Sequence, residues 1–429
     1  MRYVLSIFFF FLLIPLNINA EEIISKNEIL TLQRCIEIAT KLHPNILAAK
    51  NNVIANEKRI PQVKSNYYPQ ITWSSSYRRS YQSFDSSGYT MGKNNDTIDQ
   101  YSSTFGLNQL LYDFGKTSTN VEIHNLYLDA STSDLENQIN QIVYNVKEAY
   151  FKVLQAKRNK EVAIESVKQF QQHLEQAEGF YKVGTKPKFD VTKAEVDLSN
   201  ARLNLIKAEN AYKLSIVNLN NAMGITYAPE YSIEDILTSK KIEITFEDAL
   251  NNAYKNRPDL KSIVLKRQTA EKTIELIKKD YYPLLTANAS YGWSGETFPL
   301  EHGWNVGASL SFPIFSGFLT KYQLEEAKAN LNVIKANEES LKQSIFLEVQ
   351  QAYLNLKDAE ERIPTAELNV KQAEENFEIA NGRYIAGVGN PIEVTDANVA
   401  LVNARTAYIQ ALYDYKIAIS ALERAMGVK

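Results

Sequence analysis

One plan is written twice along these 429 residues, and this duplication constrains the fold more than any other feature. Residues 31–69 align with 245–283 at a separation of 214. His43-Pro44-Asn45-Ile46 faces Arg257-Pro258-Asp259-Leu260, and Tyr67-Tyr68-Pro69 faces Tyr281-Tyr282-Pro283. From Ala149-Tyr150 onward the separation is 203, and it carries through Tyr181/Tyr384, Gly184/Gly387, Asn200-Ala201-Arg202/Asn403-Ala404-Arg405 and Ala222-Met223-Gly224/Ala425-Met426-Gly427. The lost residues fall between the Tyr-Tyr-Pro element and the next helix, where a surface loop absorbs changes of length. Chance likeness between two coiled coils would not keep the proline, tyrosine and glycine punctuation. The expected organisation is a first repeat at 21–228, a linker at 229–244 and a second repeat at 245–429.

Residues 1–20 are of another kind. Arg2 gives a positive start, residues 3–16 are almost unbroken apolar chain, and Ala20 precedes Glu21 and Glu22. That is the pattern of a signal peptide cleaved near Ala20. Its apolar run is shorter than the roughly 20 residues a spanning helix needs. No later segment is apolar enough to span as a helix, so membrane entry requires strands, which satisfy their backbone groups in hydrocarbon only by closing into a barrel.

Each repeat reads as short helix, two strands and two long helices. The short helix is expected over about 32–66 and 246–280, stopped by Tyr-Tyr-Pro because proline drives its predecessor out of the helical region. The strands follow at about 71–78 and 103–111, then at 285–293 and 304–312. In the second repeat Leu285, Ala287, Ala289, Tyr291 and Trp293 alternate with Thr286, Asn288, Ser290 and Gly292. Trp304, Val306, Ala308, Leu310 and Phe312 alternate likewise with Asn305, Gly307, Ser309 and Ser311. A period of two gives one apolar and one polar face. A soluble sandwich and a membrane barrel fit that pattern equally. Four strands are fewer than the approximately eight of the smallest outer-membrane barrels, so insertion implies strands pooled between subunits.

The long helices are expected over about 116–181 and 319–384, each roughly 100 Å at 1.5 Å per residue. Reversals at Gly184–Pro187 and Gly387–Pro391 lead into returning helices over about 189–223 and up to 426. Pro364 is expected to kink or break the second long helix. The returning helices carry heptad seams. Ala194, Leu198, Ala201, Leu205, Ala208, Tyr212, Ser215, Leu219 and Ala222 are matched by Ala397, Leu401, Ala404, Tyr408, Ala411, Tyr415, Ala418, Leu422 and Ala425. One position is nearly always small, which permits close approach. Val196, Ile206, Val217, Val399, Val402 and Ile417 lie off the seam and give each helix a second apolar edge, as in a tube of helices.

Other classes find little support. Hydrophobic content of 45% and charged content of 23% are globular values. A net charge of −3 without a basic block disfavours nucleic acid as a partner. Four histidines and the single Cys35 offer no metal-ligand set. His124, His173 and His302 read as surface or lumen histidines. No phosphate-binding glycine loop, catalytic constellation or cofactor motif is present in the sequence.

The duplicated order, the Tyr-x-x-Gly tips and the Asn-Ala-Arg helices resemble the TolC-like outer membrane efflux protein family over essentially the whole chain after the leader. Leu110-Leu111-Tyr112-Asp113-Phe114-Gly115 is similar to that family's passage from strand to long helix, with Pro313-Ile314-Phe315-Ser316-Gly317 a looser counterpart. The resemblance implies a mainly α protomer with membrane β-strands. Three protomers would form a homotrimer with a pooled 12-stranded outer-membrane β-barrel, four strands each, continued by an α-helical barrel of long-helix hairpins. It implies a passive exit duct of a tripartite efflux or type I secretion system, not an enzyme. The implied partners are outer-membrane lipid, a periplasmic adaptor (membrane fusion) protein and an inner-membrane pump or ABC exporter. The alternative is a periplasmic coiled-coil adaptor or structural protein that never spans the outer membrane.

Gly184, Pro187, Gly387, Gly389 and Pro391, at the ends farthest from the strands, are the expected adaptor-docking tips. Glu393 and Asp396 stand at i and i+3 after the second turn, on one face. The first hairpin offers Asp190, with Lys193 at the second position. Trimerisation would multiply Glu393 and Asp396 into an acidic ring favouring cations. The bland reading makes them first-turn acids facing the positive helix end. In the resembled family the matching acids line the periplasmic aperture, which a tyrosine and an arginine keep shut. Tyr384 matches the tyrosine, but Gly389 stands in the arginine's place.

Overall fold

The computed structural model describes residues 24–83, 95–240 and 243–428; the expected leader at 1–20 lies outside them. The elements run β1 (Ile29–Leu30), α1 (Leu32–Leu42), α2 (Pro44–Lys64), β2 (Gln70–Ser83), β3 (Asn95–Tyr112), α3 (Lys116–Lys182), α4 (Lys188–Met223) and β4 (Ser232–Ile233). They continue with α5 (Phe246–Asn256), α6 (Pro258–Lys278), β5 (Leu284–Gly295), β6 (Glu301–Ser311), α7 (Leu319–Ile385) and α8 (Pro391–Ala425). The protomer is mainly helical with a small antiparallel sheet.

Two expectations are corrected. The short helix of each repeat is two helices, because His43 and Arg257 precede proline and adopt extended ψ values of 124° and 121°. Pro364, by contrast, does not break α7, which runs helical through it. Proline removes one backbone bond there, but buried Leu356, Ala359 and Ile363 hold the register. Arg362 adds ion pairs to Asp358 at 2.9 Å and to Asp414 of α8 at 3.0 Å.

The chain divides into two compact units, and each draws on both halves of the sequence. Among the described residues the strand unit comprises 48–83, 95–137 and 257–346. Its sheet has the order β2-β3-β5-β6, antiparallel throughout. The register places Trp73, Phe105, Tyr291 and Trp304 in one row across all four strands, beside a row of Ile71, Leu107, Ala289 and Val306. Alternate positions form the opposite face, with rows of Thr72, Gly106, Ser290 and Asn305 and of Ser74, Thr104, Gly292 and Gly303. At Gly292 a Cβ would come within 2.7 Å of Thr104 Oγ1, so this crowded row requires glycine. Asp113 turns β3 into α3 by accepting from the amides of Gly115 (3.0 Å) and Thr117 (2.6 Å). Within this unit α6 is tied to α3 through Lys272–Glu122 and Lys266–Asp134, and to α7 through Arg267–Glu338.

Among the described residues the helical unit comprises 24–47, 138–240, 243–256 and 347–428. Arg202 reaches Gln171 from α4 to α3, Lys147 reaches Glu423 from α3 to α8, and Arg405 reaches Glu374 from α8 to α7. These contacts set α3 beside both α4 and α8, and α8 beside α7, while nearer the turns α4 also meets α8. The heptad seams are the buried faces: Phe170 packs on Leu198 and Ala201, while Ala373 packs with Leu401 and Ala404. Uncovered apolar stripes remain on α4, with Val196, Leu203, Ile206, Leu214 and Val217, and on α7, with Leu347, Leu354 and Leu368. The segment expected as a plain linker carries β4, which pairs in parallel with β1. Buried Tyr150 donates to the carbonyls of Leu30 and Glu234 and pins both strands. Gly224 ends α4 with a φ of 76°, and a Cβ there would lie 2.6 Å from His43 Cα.

Candidate functional site

Both hairpins reverse by the same local chemistry. Gly184 and Gly387 adopt φ values of 74° and 79°, which cost least for glycine. Their amides donate to Tyr181 O and Tyr384 O, and the next amides reach Phe180 O and Arg383 O, closing the carbonyl ends of α3 and α7. Pro187 then stands extended before α4, while Pro391 is the first residue of α8. A Cβ at position 389 would meet Tyr384 N at 2.7 Å and Arg383 C at 2.8 Å. Gly389 is thus a requirement of the second turn, and an arginine there would displace backbone.

The residues singled out from sequence separate into two environments. Glu393 and Asp396 are exposed on α8. Glu393 lies 3.5 Å from Arg383 Nε, and both side chains are about half exposed, so the pair adds little stability. Helix capping of α8 belongs to Asn390, whose side chain accepts from Ile392 N at 2.9 Å. Asp190 and Tyr384, in contrast, are buried between the hairpins, 5% and 0% exposed.

Around Tyr384 is a polar seam that sequence reading missed. His173 of α3, expected at a surface or lumen, is 4% exposed, with its ring 4.7 Å from that of Tyr384. Phe180 meets Tyr384 edge-on at 5.6 Å, and Lys186 Nζ lies 5.6 Å from the tyrosine ring. Lys186 also donates to Gly389 O at 3.3 Å, linking one turn to the other. Lys193 pairs with buried Asp197 at 2.6 Å, and Thr395 of α8 donates to the same carboxylate at 2.8 Å. Burial pushes His173 below the usual histidine range, while Asp197 and Asp190 pull it upward. Burial and the charge of Asp190 push the Tyr384 hydroxyl up. The available signal was the seam spacing itself: 190, 194, 197 and 201 on α4, and 391, 394, 398 and 401 on α8, interrupt apolar steps with polar residues.

Among the described residues no group of His, Cys, Asp and Glu is arranged to hold a metal ion. His124 is half-buried on α3 and His302 exposed on β6.

The sequence profile of the outer membrane efflux protein family matches residues 35–225 and 249–428. Outer membrane protein TolC of Vibrio cholerae serotype O1 is 22% identical over 302 residues, 67% of each chain. The outer-membrane channel OprN superposes with a TM-score of 0.79 at 16% identity, covering 93% of this chain and 90% of its own. The Campylobacter jejuni CmeC outer membrane channel gives 0.79 at 17% identity, over 92% of this chain and 85% of its own. The chain belongs to the outer membrane efflux protein family, and it is a non-catalytic channel of the outer membrane.

Proposed function

We propose that three copies of this chain pool their strands into a 12-stranded barrel and their hairpins into a periplasmic tunnel. The assembly is the exit duct through which an inner-membrane pump or exporter, coupled by an adaptor, discharges its cargo. The observation that carries this reading is the two-faced sheet. Its apolar rows are exposed, with Trp304 at 74% and Val306 at 73%, and its other face is small and polar. A soluble sandwich would bury such a face against a second sheet; lipid covers it in a barrel, whose interior is polar. In this reading β2 and β6 each meet a neighbouring copy, as do the apolar stripes of α4 and α7. The leader is removed near Ala20, and the 21–228 and 245–429 repeats give each protomer internal pseudosymmetry. The turns with Gly184, Pro187, Gly387, Gly389 and Pro391 meet the adaptor, and Glu393, Asp396, Asp190 and Tyr384 belong to the aperture.

The purified protein in mild detergent should have the mass of a trimer by light scattering, and the trimer should dissociate on heating in dodecyl sulfate. Pooled strands make each sheet edge depend on its neighbour, so a stable monomer would overturn the model.

A further inference from the structure

The two repeats do not fill the space beside their helices equally. Helices α3 and α7 each hold 67 residues, and each follows two residues of positive φ, Phe114–Gly115 and Gly317–Phe318. The separation of 203 therefore holds along their whole length, as 214 does between α2 and α6. Where the first repeat has Arg59, His124 and Tyr127, the second has Thr273, Ala327 and Asn330. The three larger side chains gather together: burial and the charge of Arg59 lower the proton affinity of His124, whose ring lies 6.0 Å from that of Tyr127. The three smaller ones line a groove of about 600 Å³ between α6 and α7, with Tyr127 of α3 at its side.

The groove is long and apolar along its walls. Ile263, Ala270 and Ile277 line it from α6, and Ala327 and Ile334 from α7. Thr269 and Thr273 spend their hydroxyl donors on Leu265 O and Thr269 O of their own helix, at 2.9 and 2.8 Å. From Ile263 to Asp280 it follows α6 for about 25 Å, at 1.5 Å per residue. Its volume is that of a small-molecule site, and its length fits an extended chain better than a compact ring system. The charges at its edge are unequal. Lys266 is paired with Asp134 at 3.0 Å, and Asp280 with Lys116. Glu326 is exposed, and no described residue pairs with its carboxylate. The uncompensated charge at the edge is thus negative, and the half-exposed ring of Tyr127 adds an aromatic face of the kind that attracts quaternary ammonium groups. We propose that this groove is a binding site for a cationic amphiphile, a molecule with one extended apolar chain and one positively charged head. A fatty acid or anionic lipid would instead set a like charge beside Glu326. The site goes beyond the duct reading and depends on neither assembly nor conduction, because all of its residues belong to the strand unit of one protomer.

The test uses the full-length protein in lipid nanodiscs at low salt and a dodecyltrimethylammonium that carries a photoreactive diazirine on its chain, kept below its micelle-forming concentration. After irradiation the labelled peptides are mapped by mass spectrometry, beside the same diazirine chain with a neutral alcohol head or a carboxylate head. The cationic label should saturate on 263–280 and 323–337 and be displaced by unlabelled dodecyltrimethylammonium. Ala327→His with Asn330→Tyr installs the side chains of the first repeat and should raise the half-saturating concentration roughly tenfold or more, since excluding even two methylenes from the groove has that effect. Thr273→Phe fills the groove from the opposite wall and should do the same, so the misfolding of one variant still leaves the other to decide. Glu326→Gln should raise the half-saturating concentration of the cation roughly threefold and leave that of the alcohol unmoved. Labelling that never saturates, filled variants that label like the unchanged protein, or a carboxylate label that binds as tightly as the cation overturns the site. Labelling is read whether or not the protein conducts, so failure of the site is distinct from failure of the channel reading, which bilayer recordings test.

Discussion

Val306→Arg is expected to keep the protein out of the outer membrane, whereas Asn305→Arg, one residue earlier, is expected to insert normally. The two positions lie on opposite faces of β6. Val306 belongs to the row of Ile71, Leu107 and Ala289, and Asn305 to the row of Thr72, Gly106 and Ser290. Arginine on the lipid face of a barrel costs about 2–4 kcal/mol near the bilayer midplane, and a trimer repeats the cost in each copy. On the polar face the same side chain meets water, with glycine and serine leaving room beside it. The measurement is the fraction of each variant retained in outer-membrane pellets after a urea wash, together with the heat-sensitive trimer band. Equal retention of the two variants would mean that lipid does not cover the Val306 face.

The uneven legibility of this molecule has physical causes. The long helices are readable because some 60 residues pass without proline or glycine between Lys116 and Gly179, and their ends carry glycines that the reversal needs. The strands are readable where alternation is strong, and they extend beyond it. β3 begins at Asn95 and β2 continues to Ser83, and Thr97, Asp99 and Gln100 offer no alternation to read. The break at His43–Pro44 was hidden by good helix formers on both sides. At Pro364 the helix continues unbroken, with buried neighbours and ion pairs offsetting one lost backbone bond.

The candidate site shows the same division. The exposed positions of Glu393 and Asp396 at the start of α8 are legible because a turn fixes where that helix begins. The burial of His173 was not legible, because the sequence of α3 does not say which of its faces meets α7. Asp197 and Thr395 sit 198 residues apart, and only the meeting of two hairpins brings them together. Arg383, which tempers Glu393, lies before the second turn and became relevant only once that turn folded it back.

That arginine sharpens what neutralising the acids should do. Glu393 and Asp396 are exposed and leave the N-cap of α8 to Asn390, so removing their charges spares the helix start apart from a modest dipole contribution at Glu393. Three copies around one axis would set six carboxylates at the narrow end of the tunnel, and such a ring attracts cations. In planar bilayers at low salt, where screening is weak, Glu393→Gln with Asp396→Asn should lower cation preference and weaken block by multivalent cations. Arg383→Gln should do the reverse, because it frees Glu393 from its 3.5 Å cationic neighbour. Asp396→Asn alone should have the larger effect of the two single acid changes, since Glu393 already shares its charge with Arg383. Reversal potentials across a salt gradient give the preference directly, and the heat-sensitive trimer band checks that each assembly is intact. If the double variant keeps both the reversal potential and the multivalent block of the unchanged channel, these acids do not line the passage, and their role is confined to the first turns of α8.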